Sequence, residues 1–316
     1  GQSGQARISM NAKFGFVTQG IQEYEKITDP RAYYELAYKA IYNREIRNNG
    51  TDPTSAHIIA NNTLGKSTND GGLGYIVYTA PQGEYLIGSN GKMNPGATLG
   101  NKVSHNGREY LVRPDDYMEE SFRTGFRQDY SVNVSGGVDK YSYYATLGYL
   151  KNEDVVKGND YERYTFRMKT DWKLNSWFNF GLNLNYVKGK SNMSSSRRAE
   201  IFSRARWYAP IYPLYIRDGE GNLMYDENGV MYDYGDGVVN GLLSAAEPGS
   251  CAIQENQLCT NRVVRDLVNV AGNLNFNVPW VQGLKAQIKL NISNNTSNTT
   301  TSYQPFYGSG AITNPN

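Results

Sequence analysis

Between Arg127 and Asn175, three consecutive runs alternate apolar and polar residues with a period of two. From Arg163 to Trp172, one face holds Tyr164, Phe166, Met168 and Trp172, with Thr170 among them; the other holds Arg163, Thr165, Arg167, Lys169 and Asp171. Successive side chains of a strand point to opposite sides, so this pattern predicts strands that are apolar on one face and charged on the other. Four further runs repeat it: Ile8 to Phe16, Phe178 to Tyr186, Val268 to Val278 and Ala286 to Ile292. The predicted strands lie near 7–18, 127–136, 140–151, 161–173, 177–189, 264–279 and 284–300. Such strands need two solvents. A soluble sandwich supplies core and water; a transmembrane barrel supplies lipid and a wet lumen.

Loop lengths separate these two. The turns at 136–140, 173–176 and 279–283 are short, whereas the connections 20–126 and 190–263 are long. Short turns on one side and long loops on the other are the outer-membrane barrel pattern, with the long loops extracellular. The alternation then makes Phe166, Met168, Phe180, Leu182, Leu184, Leu274, Phe276, Ile288 and Leu290 lipid-facing, and Arg167, Lys169, Asn183, Asn275 and Lys289 lumen-facing. The long loops carry helix signals. Asp29 and Pro30 read as an N-cap and first helical residue, opening an amphipathic helix to about Ile46. Residues 197–208 are a weaker helix signal.

Composition bears on the same choice. The chain has 316 residues, is 20% charged and has a net charge of +2, which excludes a basic nucleic-acid binder. Mean hydropathy is −0.61, yet barrel strands need only every second residue apolar, so a low mean is compatible with lipid contact. No stretch of ~20 apolar residues offers a helical span. The 26 Tyr against 10 Phe suit positions where a ring meets both hydrocarbon and water. The opening GQSGQARISM lacks a basic region followed by an apolar one, so no signal peptide is expected.

Candidate chemistry is sparse. His57 and His105 are the two histidines and read as solvated loop residues. No triad, HExxH or CxxC spacing is present, so no catalytic residue, metal or cofactor is expected. Acidic glycine-containing segments at 218–222, 226–229 and 233–237 lack the ligand spacing of an EF-hand and read as hairpin turns. In an extracellular loop Cys251 and Cys259 are expected to bridge, stabilising a loop tip by ~2–3 kcal/mol at most. Trp207, Tyr208, Tyr212 and Tyr215 are candidate ligand-stacking aromatics.

The segment 121–186 closely resembles the SusC/RagA family of TonB-linked outer-membrane transporters of Bacteroidetes. The likeness rests on Phe122-Arg123-Thr124-Gly125, Ser135-Gly136-Gly137, Ser142-Tyr143-Tyr144 to Leu150, and Glu162-Arg163-Tyr164; ARISMNAKFGF resembles the family's first barrel strand. The resemblance implies an all-β antiparallel transmembrane barrel segment in the outer membrane, about seven strands of a larger, 22-stranded barrel, with short helices in long extracellular loops. It implies import of an oligosaccharide or peptide with a SusD-like surface lipoprotein, driven by the TonB complex. The family's TonB box and plug motif do not occur in these residues, so the chain is expected to be the first part of the barrel and unable to transport alone. The competing readings are a structural or adhesive outer-membrane barrel and a soluble all-β glycan-binding module.

Overall fold

The computed structural model describes residues 4–20, 24–192, 195–227, 229–233, 252, 253, 256 and 260–302. The chain divides into two compact units. One comprises Gly1–Gly20, Phe122–Ser195 and Thr260–Ser302; the other comprises Ile21–Ser121, Ser196–Cys259 and Tyr303–Asn316.

The first unit is one antiparallel sheet of seven strands: β1 (Gly4–Val17), β2 (Gly125–Val138), β3 (Tyr141–Glu153), β4 (Asp160–Lys173), β5 (Phe178–Asn192), β6 (Thr260–Asn277) and β7 (Lys285–Ser302). Their order in the sheet is their order in the chain, an up-and-down meander. Every expected strand is present, and most run past the alternating core of the pattern. Registers are unbroken from β2 to β7, with one irregularity between Gly4 and Arg7 on β1. One residue of slip would exchange the faces of a strand. None occurs: Tyr149 pairs Tyr164, Phe166 pairs Tyr186, Leu182 pairs Gly272 and Leu274 pairs Ile288.

The second unit builds its own core within the connections. Helix α1 (Pro30–Asn49) starts at Asp29, whose side chain accepts from the Arg31 amide at 2.9 Å. It ends at Gly50, whose φ of 65° is the left-handed value that glycine adopts without cost. Helix α2 (Pro53–Leu64) repeats the device with Asp52 and Pro53. Tyr34, Tyr38 and Ile41 of α1, at spacings of four and three, pack with Ala60 and Leu64 of α2 and with Tyr75, Val77 and Ile87. Tyr34 is fully buried; its hydroxyl donates to the Tyr75 carbonyl at 2.6 Å and accepts from the Val77 amide at 3.1 Å. This part of the chain also holds a hairpin (Asn101–His105 with Arg108–Val112), α3 (Tyr117–Ser121) and α4 (Ser195–Trp207).

Both histidines depart from the solvated-loop expectation. His57 lies on α2, half-buried, with Nδ1 2.7 Å from the Tyr38 hydroxyl and its ring edge-on to Tyr85. His105 ends a hairpin strand and is also half-buried. The long loop has a hydrophobic core, and His57 meets it through Tyr38.

Candidate functional site

The functional feature of the first unit is the difference between its two faces. Phe166, Met168, Phe180, Leu182, Leu184, Leu274, Phe276, Ile288 and Leu290 all fall on one face, because the registers align them: Met168 with Leu184, Leu274 with Phe180 and Ile288. Large apolar groups on this face are open to solvent, Met10 at 75%, Leu147 at 59% and Leu290 at 69% exposure. Both hydrophobic core clusters consist of residues of the second unit. A water-soluble protein rarely leaves an apolar surface of this extent uncovered.

Aromatic residues bound this face above and below. Near the long connections lie Phe14, Phe126, Tyr130, Tyr149, Tyr164 and Tyr186, with Tyr149 and Tyr164 at 5.1 Å and Phe14 edge-on to Tyr130 at 5.7 Å. Near the short turns lie Tyr141, Trp172, Trp177, Phe178, Phe276 and Trp280, with Tyr141 stacked on Trp172 at 5.4 Å. The two belts are eight residues apart on three strands: Tyr141 to Tyr149, Tyr164 to Trp172, and Phe178 to Tyr186. Eight residues rise ~27 Å along a strand, or ~21 Å of height at a tilt of ~40°. That is close to the ~25 Å apolar band between aromatic girdles of an outer-membrane barrel. From β4 to β5 both belts slide by two residues toward the turns, since Tyr186 pairs Phe166 rather than Tyr164 and Trp172 pairs Phe180 rather than Phe178. Between β3 and β4 both belts stay level, with Tyr149 opposite Tyr164 and Tyr141 opposite Trp172.

The opposite face is polar and mostly cationic. Strand β4 contributes Arg163, Arg167, Lys169 and Lys173, β1 and β2 add Arg7, Lys13 and Arg127, and β6 and β7 add Arg265, Lys285 and Lys289. The strand carboxylates on this face are Asp129 and Asp171, placed 3.8 Å from Arg127 and 3.6 Å from Lys169. Between the cations stand carboxamides. Asn133 accepts from Tyr144 and Thr146, Asn185 accepts from Arg167, and the Gln287 amide donates to Asn275. Gly181 matters here, because a Cβ would lie 2.2 Å from the Asn273 side-chain oxygen. A hollow of about 480 Å³ opens over Tyr144, Arg167, Lys169, Asn183, Asn185, Asn269 and Asn291.

In the second unit, Trp207 projects into solvent at 77% exposure. The other candidate stacking residues are engaged in packing. Tyr208 meets Tyr117 edge-on at 4.5 Å, Tyr212 meets Tyr75 at 6.1 Å, and Tyr215 meets Tyr232 at 5.1 Å. Tyr208 also lines a cleft of about 170 Å³ with Lys26, Pro30, Asp116, Tyr117 and Pro210. Burial, together with its hydrogen bond to the Glu120 carboxylate at 2.6 Å, pushes the Tyr215 hydroxyl far above its ordinary pKa. Asp115 organises this region. It pairs with Arg217, both side chains 12% exposed, and accepts from the Leu214 and Tyr215 amides at 2.8 and 3.1 Å. Sequence patterning gave no signal for that pair, which joins residues about a hundred positions apart. Asp218 accepts from the Glu220 and Asn222 amides of its own turn, as the hairpin reading expects. No cluster of three metal-ligating side chains occurs among the described residues. Cys251 and Cys259 lie outside the described residues.

No protein-family model matches the chain. It is similar to TonB-dependent receptor P26 of Formosa agariphila, 30% identical over 91 residues, which is 29% of this chain and 9% of that protein. It is also similar to TonB-dependent receptor SusC of Bacteroides thetaiotaomicron, 25% identical over 104 residues, 33% of this chain and 10% of that protein. Its fold matches a chain of the RagAB peptide importer in a closed-closed state, with a TM-score of 0.55 and 15% identity, over 98% of this chain and 30% of that one. The open-open state matches with a TM-score of 0.51. The chain thus spans about 30% of the length of the solved chains it matches.

Proposed function

We propose that this chain, a segment of the SusC/RagA family, supplies seven adjacent strands of a TonB-dependent importer in the outer membrane. The observation that carries the reading is the apolar face held between two aromatic belts at a fixed eight-residue spacing. That face meets lipid, at Phe166, Met168, Phe180, Leu182, Leu184, Leu274, Phe276, Ile288 and Leu290. The cationic, carboxamide-rich face lines the lumen. The turns at 139–140, 174–177 and 278–284 lie on the periplasmic side, and the long connections from β1 to β2 and from β5 to β6 fold outside the cell.

Among the described residues, strands β1 and β7 each present an unpaired backbone edge in this sheet. Hydrocarbon does not tolerate open edges, so in a membrane both pair with further strands of the whole protein. In that barrel the loop unit, with Trp207 at its surface, takes part in capturing an oligosaccharide or peptide delivered with a SusD-like lipoprotein, and the TonB complex powers release. Similarity to TonB-dependent receptors and to the RagAB importer supports this assignment. The test is uptake of labelled glycan and peptide fragments by cells carrying the full-length protein, with and without a functional TonB. Accumulation that requires both supports the proposal; accumulation indifferent to TonB refutes it.

A further inference from the structure

The charge on this chain is sorted between faces. Its net charge is only +2, yet the polar face of the sheet sets ten Lys and Arg, Arg7 to Lys289, against Asp129 and Asp171. The charged positions on the opposite face, beyond the aromatic belt, are balanced: Lys151, Lys188, Lys190 and Arg262 accompany Glu153, Asp160, Glu162 and Asp266. Solubility of a lumen wall needs charge, but not charge of one sign. A one-sign wall in a channel with low-dielectric sides focuses its field and concentrates solutes of the opposite sign.

Resting on the importer reading above, we propose that this wall selects an oligosaccharide bearing carboxylate or sulfate groups, with the Arg167–Lys169 hollow as a contact point. Arg167 and Lys169 lie two residues apart on β4, both aimed at the hollow of about 480 Å³, a size that takes one or two sugar rings. Four of their neighbours there are carboxamides, and Met168, Leu184 and Ala271 also line the hollow. Asn183, Asn185, Asn269 and Asn291 each carry a donor and an acceptor, the pairing that hydroxyl groups of a sugar satisfy. Tyr144 contributes a ring and a hydroxyl at the same rim. The cations suit the acidic substituents, and the amides suit the polyol.

The full-length transporter in detergent tests this by calorimetric titration at low and high salt. The probes are a size-defined oligogalacturonate, its methyl ester, a sulfated carrageenan oligosaccharide and a polyglutamate peptide. An acidic glycan, carboxylated or sulfated, should bind at least about ten-fold tighter than the neutral ester, with the ratio shrinking as salt rises. R167Q/K169Q should lose most of that preference, while K188Q/K190Q on the opposite face should keep it. Equal binding of ester and acid, tighter binding of the peptide, silence of both acidic glycans, or an unchanged R167Q/K169Q variant would each overturn the proposal. Heat-modifiable migration, checked first on every variant, reports the barrel itself, so failure there falls on the importer reading instead.

Discussion

Leu182 is the most exacting position at which to place a charge. It lies four residues from Phe178 and four from Tyr186, halfway between the belts, in register with Thr170 and Gly272. Four residues at ~3.4 Å and a tilt of ~40° set it ~10 Å from either interface. An arginine at such a midplane costs roughly 2–4 kcal/mol, a shift of about 30- to 700-fold in the folding equilibrium. Asn183 is its neighbour on the other face, beside Lys169 and Ala271. An arginine there meets water and one like charge, a penalty below ~1 kcal/mol. The assay is urea-titrated folding of the full-length protein into lipid bilayers, read by heat-modifiable migration. Leu182→Arg should lower the midpoint strongly and Asn183→Arg barely. Equal penalties at the two positions would refute the assignment of faces.

Further outcomes follow from the loop unit and the topology. Asp115→Ala leaves Arg217 buried without its partner, which costs about 3–5 kcal/mol for such pairs; amide exchange at Leu214 and Tyr215 should accelerate sharply. Gly50→Ala puts a side chain at a φ of 65° and should weaken the α1–α2 hairpin by roughly 1–2 kcal/mol in thermal melts. Burial alone would raise the Glu35 pKa, but hydrogen bonds from Lys92 at 2.8 Å and the Met93 amide at 3.0 Å outweigh it and hold it below the ordinary carboxylate value. Its stabilisation is therefore complete above that ordinary value and lost as pH falls through the lowered one. Exchange protection near Met93 should decline across that acid window, and Glu35→Gln should flatten the response. A membrane-impermeant maleimide should label Trp207→Cys on intact cells and Asp139→Cys only after permeabilisation; the reverse would invert the topology.

The sheet was largely legible in the sequence because period-two alternation is a backbone property, and a face buried in one solvent keeps the alternation unbroken. Strand ends were less legible. Pairing continues three or four residues past the expected ends at Lys190–Asn192 of β5 and Thr260–Val263 of β6. The aromatic belts could have been read as the eight-residue spacings in Tyr141–Tyr149, Tyr164–Trp172 and Phe178–Tyr186, but their slide between strands needs the register. Helix α2 carries the same Asp-Pro opening as α1, at Asp52 and Pro53, so its signal was available. The core of the loop unit was not. Tyr34 with Tyr75, or Asp115 with Arg217, are joined by tertiary packing that no local period encodes.

The central claim is that the sheet separates lipid from a watery lumen. Spin labels placed singly from Arg163 to Lys173 of β4 in the full-length protein, reconstituted in bilayers, measure it directly. Accessibility to lipid-dissolved oxygen should peak at positions 164, 166, 168 and 170, and accessibility to an aqueous nickel chelate at 163, 165, 167 and 169. Two opposed period-two profiles support the account. Uniform aqueous access along the strand, or profiles that rise and fall together, would contradict it.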